Sequence, residues 1–282
     1  MTAPTTGRED VTLNGVSLDS LCYGLEDTSG LFTVPARRGS NVVVPGRHGA
    51  ITIPNKHFDE ADYVLPLWIA GSRPDGTIPR GSSEAREFWA RRDELLRILY
   101  AATLRVEFTR PTGHRVYAVC EVTDTIDFTR RGVDPLGVIK VGLVNTGAFW
   151  ADTAPVTQLI EGRSGSRHEL TEFRGATAPM TELTITFQGP INNPMIELGT
   201  TTVQFGATVT AEQQLVLNTA NWSVSPGTGA SWAPDLRQIE FTPGPEWFAI
   251  SPSATPFEVR FTHTGGGEAT CAIAGRRKYL AP

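Results

Sequence analysis

The stretch Ser82-Ser-Glu-Ala-Arg-Glu-Phe-Trp-Ala-Arg-Arg-Asp-Glu-Leu-Leu-Arg-Ile-Leu-Tyr100 decides the fold class of the first half of the chain. Its apolar side chains recur mainly at three- and four-residue spacings, which is typical of an amphipathic helix. Ser82 or Ser83 can offer an N-cap oxygen, and Glu84 suits the positive end of the helix dipole. We predict a helix over Glu84–Tyr100 that buries its apolar side chains, Trp89 among them, and turns its charged face to solvent.

Strand patterns surround this helix on both sides. Thr103–Arg110 and Arg115–Thr123 alternate apolar and polar residues about a four-residue turn, which predicts a β-hairpin. Asn14-Gly15 is a strong signal for a two-residue hairpin near the start of the chain. Val138–Leu143 is a further strand. The first domain is therefore predicted to be α+β, with one main helix on a β-sheet or β-sandwich.

The second half of the chain shows strand signals only. Short alternating segments are separated by turn-forming clusters of Gly, Pro and Asn such as Gly189–Pro194, a pattern that favours an antiparallel β-sandwich. The composition changes near residues 151–165, where a domain boundary is expected. We predict a first domain over 1–150, a linker over 151–170 and an all-β sandwich over 171–282. The predicted strands of the sandwich are Leu183–Phe187, Met195–Leu198, Thr202–Phe205, Gln214–Leu217, Phe257–Thr262 and Ala269–Ala274.

Composition excludes several classes of protein. The 282 residues carry 25 basic and 30 acidic side chains, so a net charge of −5 argues against general nucleic-acid binding. The three cysteines, Cys22, Cys120 and Cys271, are far apart and are expected to be small buried side chains rather than a disulfide scaffold. The polar N-terminus shows no signal peptide, and the longest apolar stretch, Tyr63–Ala70, is too short to span a membrane. The chain is expected to be made in a cytoplasm, and kept or assembled there.

Motifs for catalysis are missing from the sequence. It contains no nucleophile elbow, phosphate-binding loop or paired-histidine zinc motif. The five histidines are expected to be surface or structural residues. Clustered acids such as Asp59, Glu60 and Asp62, or Asp124 and Asp127, are expected to be solvated, although two suitably spaced carboxylates could in principle hydrolyse a glycoside. We predict no enzyme, no cofactor and no metal site.

An arginine cluster in the first domain is one candidate for binding. Arg37, Arg38 and Arg47 flank the short apolar run Val42–Val44. They form either a solvated loop or an inter-subunit ion-pair site, a role that suits arginine because its planar guanidinium pairs with carboxylates.

Three tryptophans in the second half are the other candidate. Trp222, Trp232 and Trp247 lie in a stretch rich in loops. They either pack in and around the sandwich or stack on sugar rings. The second possibility supports an alternative function, a monomeric carbohydrate-binding module that attaches to a host cell wall.

Taken in order, these elements resemble the distal tail protein of long-tailed, non-contractile bacteriophages, often called a minor tail protein. No single motif carries the resemblance, which lies in the order of elements over residues 10–280. The phrases that carry it are Asn14-Gly15, Pro45-Gly-Arg-His-Gly49, Arg92-Asp-Glu-Leu-Leu96, the hairpin Leu104–Val122, the strand Ile139–Val144 with Gly147-Ala-Phe-Trp150, and Thr184–Ile196. His48 departs from the acid more often found at its position.

The resemblance implies a structural role in the virion. Family members assemble through the first domain as a homohexameric ring beneath the tail tube protein. The ring joins that tube to a tail-associated fibre or lysin protein, and its channel passes the tape-measure protein and DNA without sequence-specific binding. The second domain is a galectin-like sandwich, and this chain has no room for an inserted carbohydrate-binding module. The implied location is the phage tail tip, with no membrane insertion.

Overall fold

A computed structural model describes residues 9–39, 42–43, 50–51, 57–123, 126–130, 136–161, 164–199, 201–227, 239–242, 248–252, 258–265 and 269–282. The chain divides into two compact units. The first comprises Met1–Thr153 with Tyr279–Pro282, and the second comprises Ala154–Lys278. The predicted domain limits at residues 150 and 170 concern which segments fold independently, and they stay a prediction. Strands nevertheless occur within 151–170, where the sequence suggested only a linker.

The first unit is built from strands and one α-helix, α1, at Ser82–Leu99. Short strands precede the helix, and two hairpins follow it. The strands are β1 Asp10–Leu13, β2 Val16–Ser17, β3 Tyr23–Leu25, β4 Val42–Val43, β5 Ala50–Ile51, β6 Ala61–Ala70, β7 Leu104–Thr109, β8 Arg115–Val122, β9 Asp127–Arg130, β10 Leu136–Asn145 and β11 Trp150–Asp152. The two predicted hairpins are confirmed, and the first turns at Asn14 and Gly15, both with positive φ.

One curled sheet forms the framework of the first unit, in the order β2-β1-β7-β8-β10-β6-β3, and β9 pairs with β10. Its longest pairing joins β6 to β10 over ten residues. No strand is predicted for β6 from the sequence, and Pro66 lies in its middle. The Pro66 carbonyl accepts a hydrogen bond from Glu26 N at 2.8 Å, and a strand residue directs its N and O to the same side. The missing N–H therefore faces away from β10 and removes no bond from that pairing.

Helix α1 packs on the inner face of this sheet. Phe88, Leu95 and Leu99 are its buried residues, and the Phe88 ring lies 5.8 Å from that of Phe128 on β9. The predicted N-cap is wrong. The helix begins at Ser82, so both serines lie in its first turn, and the N-cap is Gly81, which makes no side-chain capping bond.

The second unit consists of two antiparallel sheets that share one apolar core. One sheet has the order β12-β22-β14-β18-β19, and the other β13-β21-β15-β16-β20 with β17 beside β15. The strands are β12 Val156–Glu161, β13 Arg167–Glu169, β14 Leu183–Gln188, β15 Ile191–Leu198, β16 Thr201–Phe205, β17 Thr208–Val209, β18 Gln214–Asn218, β19 Ser223–Pro226, β20 Ile239–Thr242, β21 Glu258–Thr264 and β22 Thr270–Gly275. A last short strand, β23, covers Lys278–Tyr279 and pairs with β11.

The predicted strands of the second half are confirmed, with one correction. Residues 189–194 were expected to form a turn, but β15 already begins at Ile191. A bulge interrupts its pairing with β21 between Asn192 and Met195, and Asn193 has a φ of 49°. Gly, Asn and Pro at this position therefore shape a bulge inside a strand rather than a connection between strands.

Candidate assembly site

Two of the predicted arginines stand at the base of a two-stranded arm in the first unit. Arg37 forms a β-bridge with Phe58, and Arg38 N donates to the carbonyl of His57 at 2.7 Å. Farther along the same two segments, β4 pairs with β5. Arg47 lies outside the described residues. The structure thus brings Arg37 and Arg38 together on one exposed base.

The two arginines have different neighbours. The Arg37 guanidinium lies 5.4 Å from the centre of the Phe58 ring, and that ring contacts Phe149 edge-to-face. Arg38 Nε donates to Asp59 Oδ1 at 3.0 Å, and both side chains of this pair are largely exposed. Solvent screens an exposed pair of this kind, so it contributes little to stability.

Asp59 is held in its charged form by two donors. The backbone N–H of Glu60 donates to its Oδ1 at 3.0 Å and is the larger cause of a lowered pKa. The hydrogen bond from Arg38 is the second cause. The base of the arm is therefore fixed by local bonds, while its Arg37 side remains available for contacts in solution.

Exposed apolar side chains concentrate in the first unit. Among the described residues, ten of the twelve exposed large hydrophobic side chains belong to it. Two of them, Phe32 and Val34, immediately precede the arm and are 41% and 52% exposed. Apolar side chains that are exposed next to one another can serve as a site of protein association. The remaining eight are Val16, Leu21, Val64, Ile78, Trp89, Tyr100, Val119 and Leu136.

Trp89 contradicts its predicted place on the buried face of α1, because it is 40% exposed. It follows the buried Phe88 and is turned about 100° away from it around the helix. The Arg92 guanidinium, one turn later, lies 4.6 Å from the centre of its ring. The exposed face of the helix therefore carries an aromatic side chain beside its charged ones. Three- and four-residue spacing alone could not show whether Trp89 lies on the buried or the exposed face.

A buried polar cluster in the first unit was missed by sequence reasoning. Asp152 Oδ1 lies 2.6 Å from His114 Nε2 and accepts the Tyr279 hydroxyl at 3.0 Å. The Arg110 guanidinium lies 4.8 Å from the centre of the Tyr279 ring. Tyr279 is 127 residues from Asp152 in sequence, so no local signal could have paired them. The cluster attaches the end of the chain to the β7–β8 hairpin.

The predicted glycan-stacking tryptophans are only partly described. Trp222 is half-exposed at the turn between β18 and β19, with a φ of 52°. The neighbouring Asn221 Oδ1 accepts both the backbone N–H and the hydroxyl of Ser223. Trp232 and Trp247 lie outside the described residues. A shared aromatic surface for a sugar therefore stays a prediction.

The cysteines are buried free thiols, as predicted. Burial raises the pKa of the Cys120 thiol to about 12 and raises that of Cys271 as well. Within the described ranges, no group of three or more His, Cys, Asp or Glu residues is placed to hold a metal ion. In the same part of the chain, no helix is long and apolar enough to cross a membrane.

The fold matches a solved structure over nearly its whole length. The crystal structure of SPP1 Dit (gp 19.1) superposes with a TM-score of 0.63 at 11% sequence identity. The match covers 95% of this chain and 99% of that one. This chain has the fold of SPP1 Dit. The resemblance inferred from the order of its sequence elements is therefore confirmed at the level of the fold.

Other comparisons add less to the Dit-like fold. The phage p2 baseplate in its activated conformation with Sr matches 95% of this chain and 98% of its own, at 9% identity. Its TM-score of 0.41 is too low to support a conclusion. No protein-family model matches the sequence. No curated protein matches it either.

Proposed function

We propose that this chain is a structural protein of a phage virion, the hub at the tip of a long non-contractile tail. The observation that carries the proposal is the match to SPP1 Dit, because it extends over both units of this chain. SPP1 Dit is described as a paradigm of the hub adsorption apparatus in phages that infect Gram-positive bacteria. Because a shared fold can host different functions, the surface of this chain must support the same role.

The proposed hub is a homohexameric ring formed through the first unit. A closed ring of identical copies needs two different surfaces on each copy, one facing each neighbour. The first unit offers apolar surface for such contacts, since it holds ten of the twelve exposed large hydrophobic side chains found among the described residues. Its charge is nearly balanced, with 17 basic and 18 acidic residues in 1–150, which suits a channel through which DNA must slide.

The proposed partners follow from the place of a hub in the tail. The tail tube protein binds one face of the ring, and a tail-associated fibre or lysin protein binds the other. The tape-measure protein and DNA pass through the channel. The second unit is proposed to be a galectin-like sandwich that the ring does not require. The protein is assembled in the host cytoplasm, has no catalytic role and ends in the virion.

Negative-stain electron microscopy of the purified full-length protein tests this proposal. Rings with six-fold symmetry and a central hole are the expected result. A chain that stays monomeric at high concentration, both alone and with purified tail tubes as a template, would contradict the hub. The tubes are added so that the test also covers a ring that closes only on a template.

The carbohydrate-binding alternative rests on one described residue. Trp222 presents a half-exposed indole at a hairpin turn, and an exposed aromatic face can stack on a sugar ring. This alternative expects saturable binding of cell-wall glycan by a monomer, lost in Trp222→Ala. The hub expects that variant to form rings as the wild type does, so the two functions are separated by one substitution.

A further inference from the structure

A groove in the first unit combines an apolar floor with an acidic rim. Its cavity measures about 460 Å³, within the usual size range of sites that enclose a ligand group. Among the described residues, the lining contains three carboxylates and no lysine or arginine. The floor and wall residues are Val11, Leu18, Leu25, Thr28 and Pro111, and the rim residues are Glu9, Asp10 and Asp19.

Neutral donors orient two of the rim carboxylates. The Ser17 hydroxyl donates to Asp10 Oδ1 at 3.0 Å, and the Thr28 hydroxyl donates to Glu9 Oε2 at 3.1 Å. A hydroxyl fixes the position of a carboxylate without cancelling its charge. A guanidinium that binds at this rim forms charge-assisted hydrogen bonds with the carboxylates. Apolar side chains next to that guanidinium can pack against the apolar floor.

A surface with the opposite character lies on the same unit. The segment Phe32–Arg37, which we call the Arg37 segment, carries the exposed Phe32 and Val34 and ends in an exposed arginine. Apolar side chains beside a cation are the complement of an apolar floor beside carboxylates. Every copy of the chain thus carries one groove and one Arg37 segment.

We propose that the groove of one copy receives the Arg37 segment of the next copy. The proposal rests on the ring proposed above and identifies its contact. The contact we propose is head-to-tail, which is the type of contact that can close a ring of identical copies. Phe32 and Val34 of one copy lie against the apolar floor of its neighbour, and Arg37 pairs with the acidic rim.

Charge reversal on each side separately provides the test. The groove variant carries Glu9→Lys and Asp19→Lys, and the segment variant carries Arg37→Glu. Each places like charges across every contact of its own ring, so native mass spectrometry should show at least a tenfold lower fraction of protein in rings than for the wild type. Arg86→Glu is the matched control, because it makes the same change at an exposed position on α1 and should assemble normally.

Mixing the two variants gives the decisive measurement. In an alternating ring, each lysine-bearing groove meets a glutamate-bearing segment, and each unaltered groove meets an unaltered arginine. Six positions allow this alternation, so an equimolar mixture should restore rings that contain three copies of each variant. Masses at that composition, together with six-fold images, would support the contact.

Three results would overturn the contact. The first is that either variant alone forms rings to the same extent as the wild type. This result counts against the contact even if that variant loses binding to another tail protein. The second is failure of the mixture to recover rings although both variants stay folded, as judged by protection of the buried Cys120 thiol from alkylation. The third is the absence of rings from the wild type both alone and with purified tail tubes, which would also refute the proposed hub.

Discussion

The two units bury their apolar residues in different ways. The second unit faces two sheets against each other, and among the described residues it leaves only Leu159 and Trp222 as exposed large hydrophobic side chains. The first unit covers one curled sheet with a single helix and exposes ten such side chains. A sheet covered by one helix leaves apolar surface for another molecule to bury, whereas a closed sandwich does not. From this difference we expect the first unit to carry the assembly contacts and the second to fold as an independent module.

Removing the second unit is the strongest test of this contrast. In the variant, a short Gly/Ser linker replaces Ala154–Lys278 and the last four residues are retained, because the Tyr279 hydroxyl bonds to the buried Asp152. We expect the remaining chain to fold and to form six-fold rings in electron micrographs. Loss of rings from a folded variant would instead place the assembly contact in the second unit.

A truncation after residue 150 is the matched comparison. It removes Asp152 and Tyr279 along with the sandwich, leaving His114 without its carboxylate partner. We expect this shorter chain to unfold at markedly lower urea concentration than the linker variant, measured by circular dichroism. Equal stability of the two would show that the final residues contribute nothing to the first unit.

A cavity in the sandwich should affect only the second unit. Phe187 is fully buried, and its ring lies 5.6 Å from that of Phe205 and 5.7 Å from that of Phe261. Phe187→Ala should lower the free energy of unfolding of this unit by about 3–5 kcal/mol, because it removes packing and leaves a cavity. Ring formation should persist.

The natural thiols report on the two units separately. Cys271 lies opposite Phe187 across the β14–β22 pairing, whereas Cys120 lies on β8 of the first unit. In Phe187→Ala, alkylation of Cys271 followed by mass spectrometry should accelerate while Cys120 stays protected. Equal acceleration at both thiols would show that the units unfold together and would refute their independence.

The buried polar cluster gives a smaller effect confined to the first unit. Asp152→Ala leaves the Tyr279 hydroxyl and the His114 ring without their shared acceptor, and should cost about 2–3 kcal/mol in the free energy of unfolding. Tyr279→Phe removes the hydroxyl that donates to Asp152 and lies 3.5 Å from His114 Nε2, but it keeps the carboxylate–histidine contact, so it should cost about 1 kcal/mol. Urea titration followed by tryptophan fluorescence measures both. A larger cost for Tyr279→Phe than for Asp152→Ala would show that the hydroxyl, and not the carboxylate, contributes most to the cluster.

Local patterns in the sequence were sufficient for the elements whose bonds are local. The helix, the Asn14-Gly15 turn and the β7–β8 hairpin each depend on residues close in sequence, and each was predicted. The strand β6 was missed because its proline argues against a central strand. The hydrogen bond between Glu26 and Pro66, seen only in the fold, shows that the proline nitrogen faces away from β10. The absent N–H therefore removes no bond from the β6–β10 pairing.

The candidate sites were less predictable, because they depend on tertiary contacts. The sequence placed Arg37 and Arg38 together but could not indicate Phe58 and Asp59, which lie about twenty residues later across the arm. The acidic groove likewise joins residues near the start of the chain to Pro111. Contacts between distant segments carry no periodic signal in one sequence, so only the fold reveals them.

The smallest expected effect concerns the exposed base of the arm. The pKa of Asp59 is lowered first by the Glu60 N–H and second by Arg38, so Arg38→Gln should raise it only part of the way toward its ordinary value. The folded chain binds this proton less tightly than the unfolded chain does. The carboxylate therefore contributes to stability above its unfolded pKa of about 4, and that contribution is lost as pH falls through the lower folded pKa.

Titration of the Asp59 side-chain carbon signals by NMR measures this change directly. Arg86→Gln, which removes an arginine from the helix surface, is the control and should leave the Asp59 pKa unchanged. A complete return of the pKa to its ordinary value in Arg38→Gln would mean that the ion pair, and not the Glu60 N–H, fixes this carboxylate. The base of the arm would then be held by a contact that added salt weakens, and the Asp59 pKa of the wild type should rise toward its ordinary value with ionic strength.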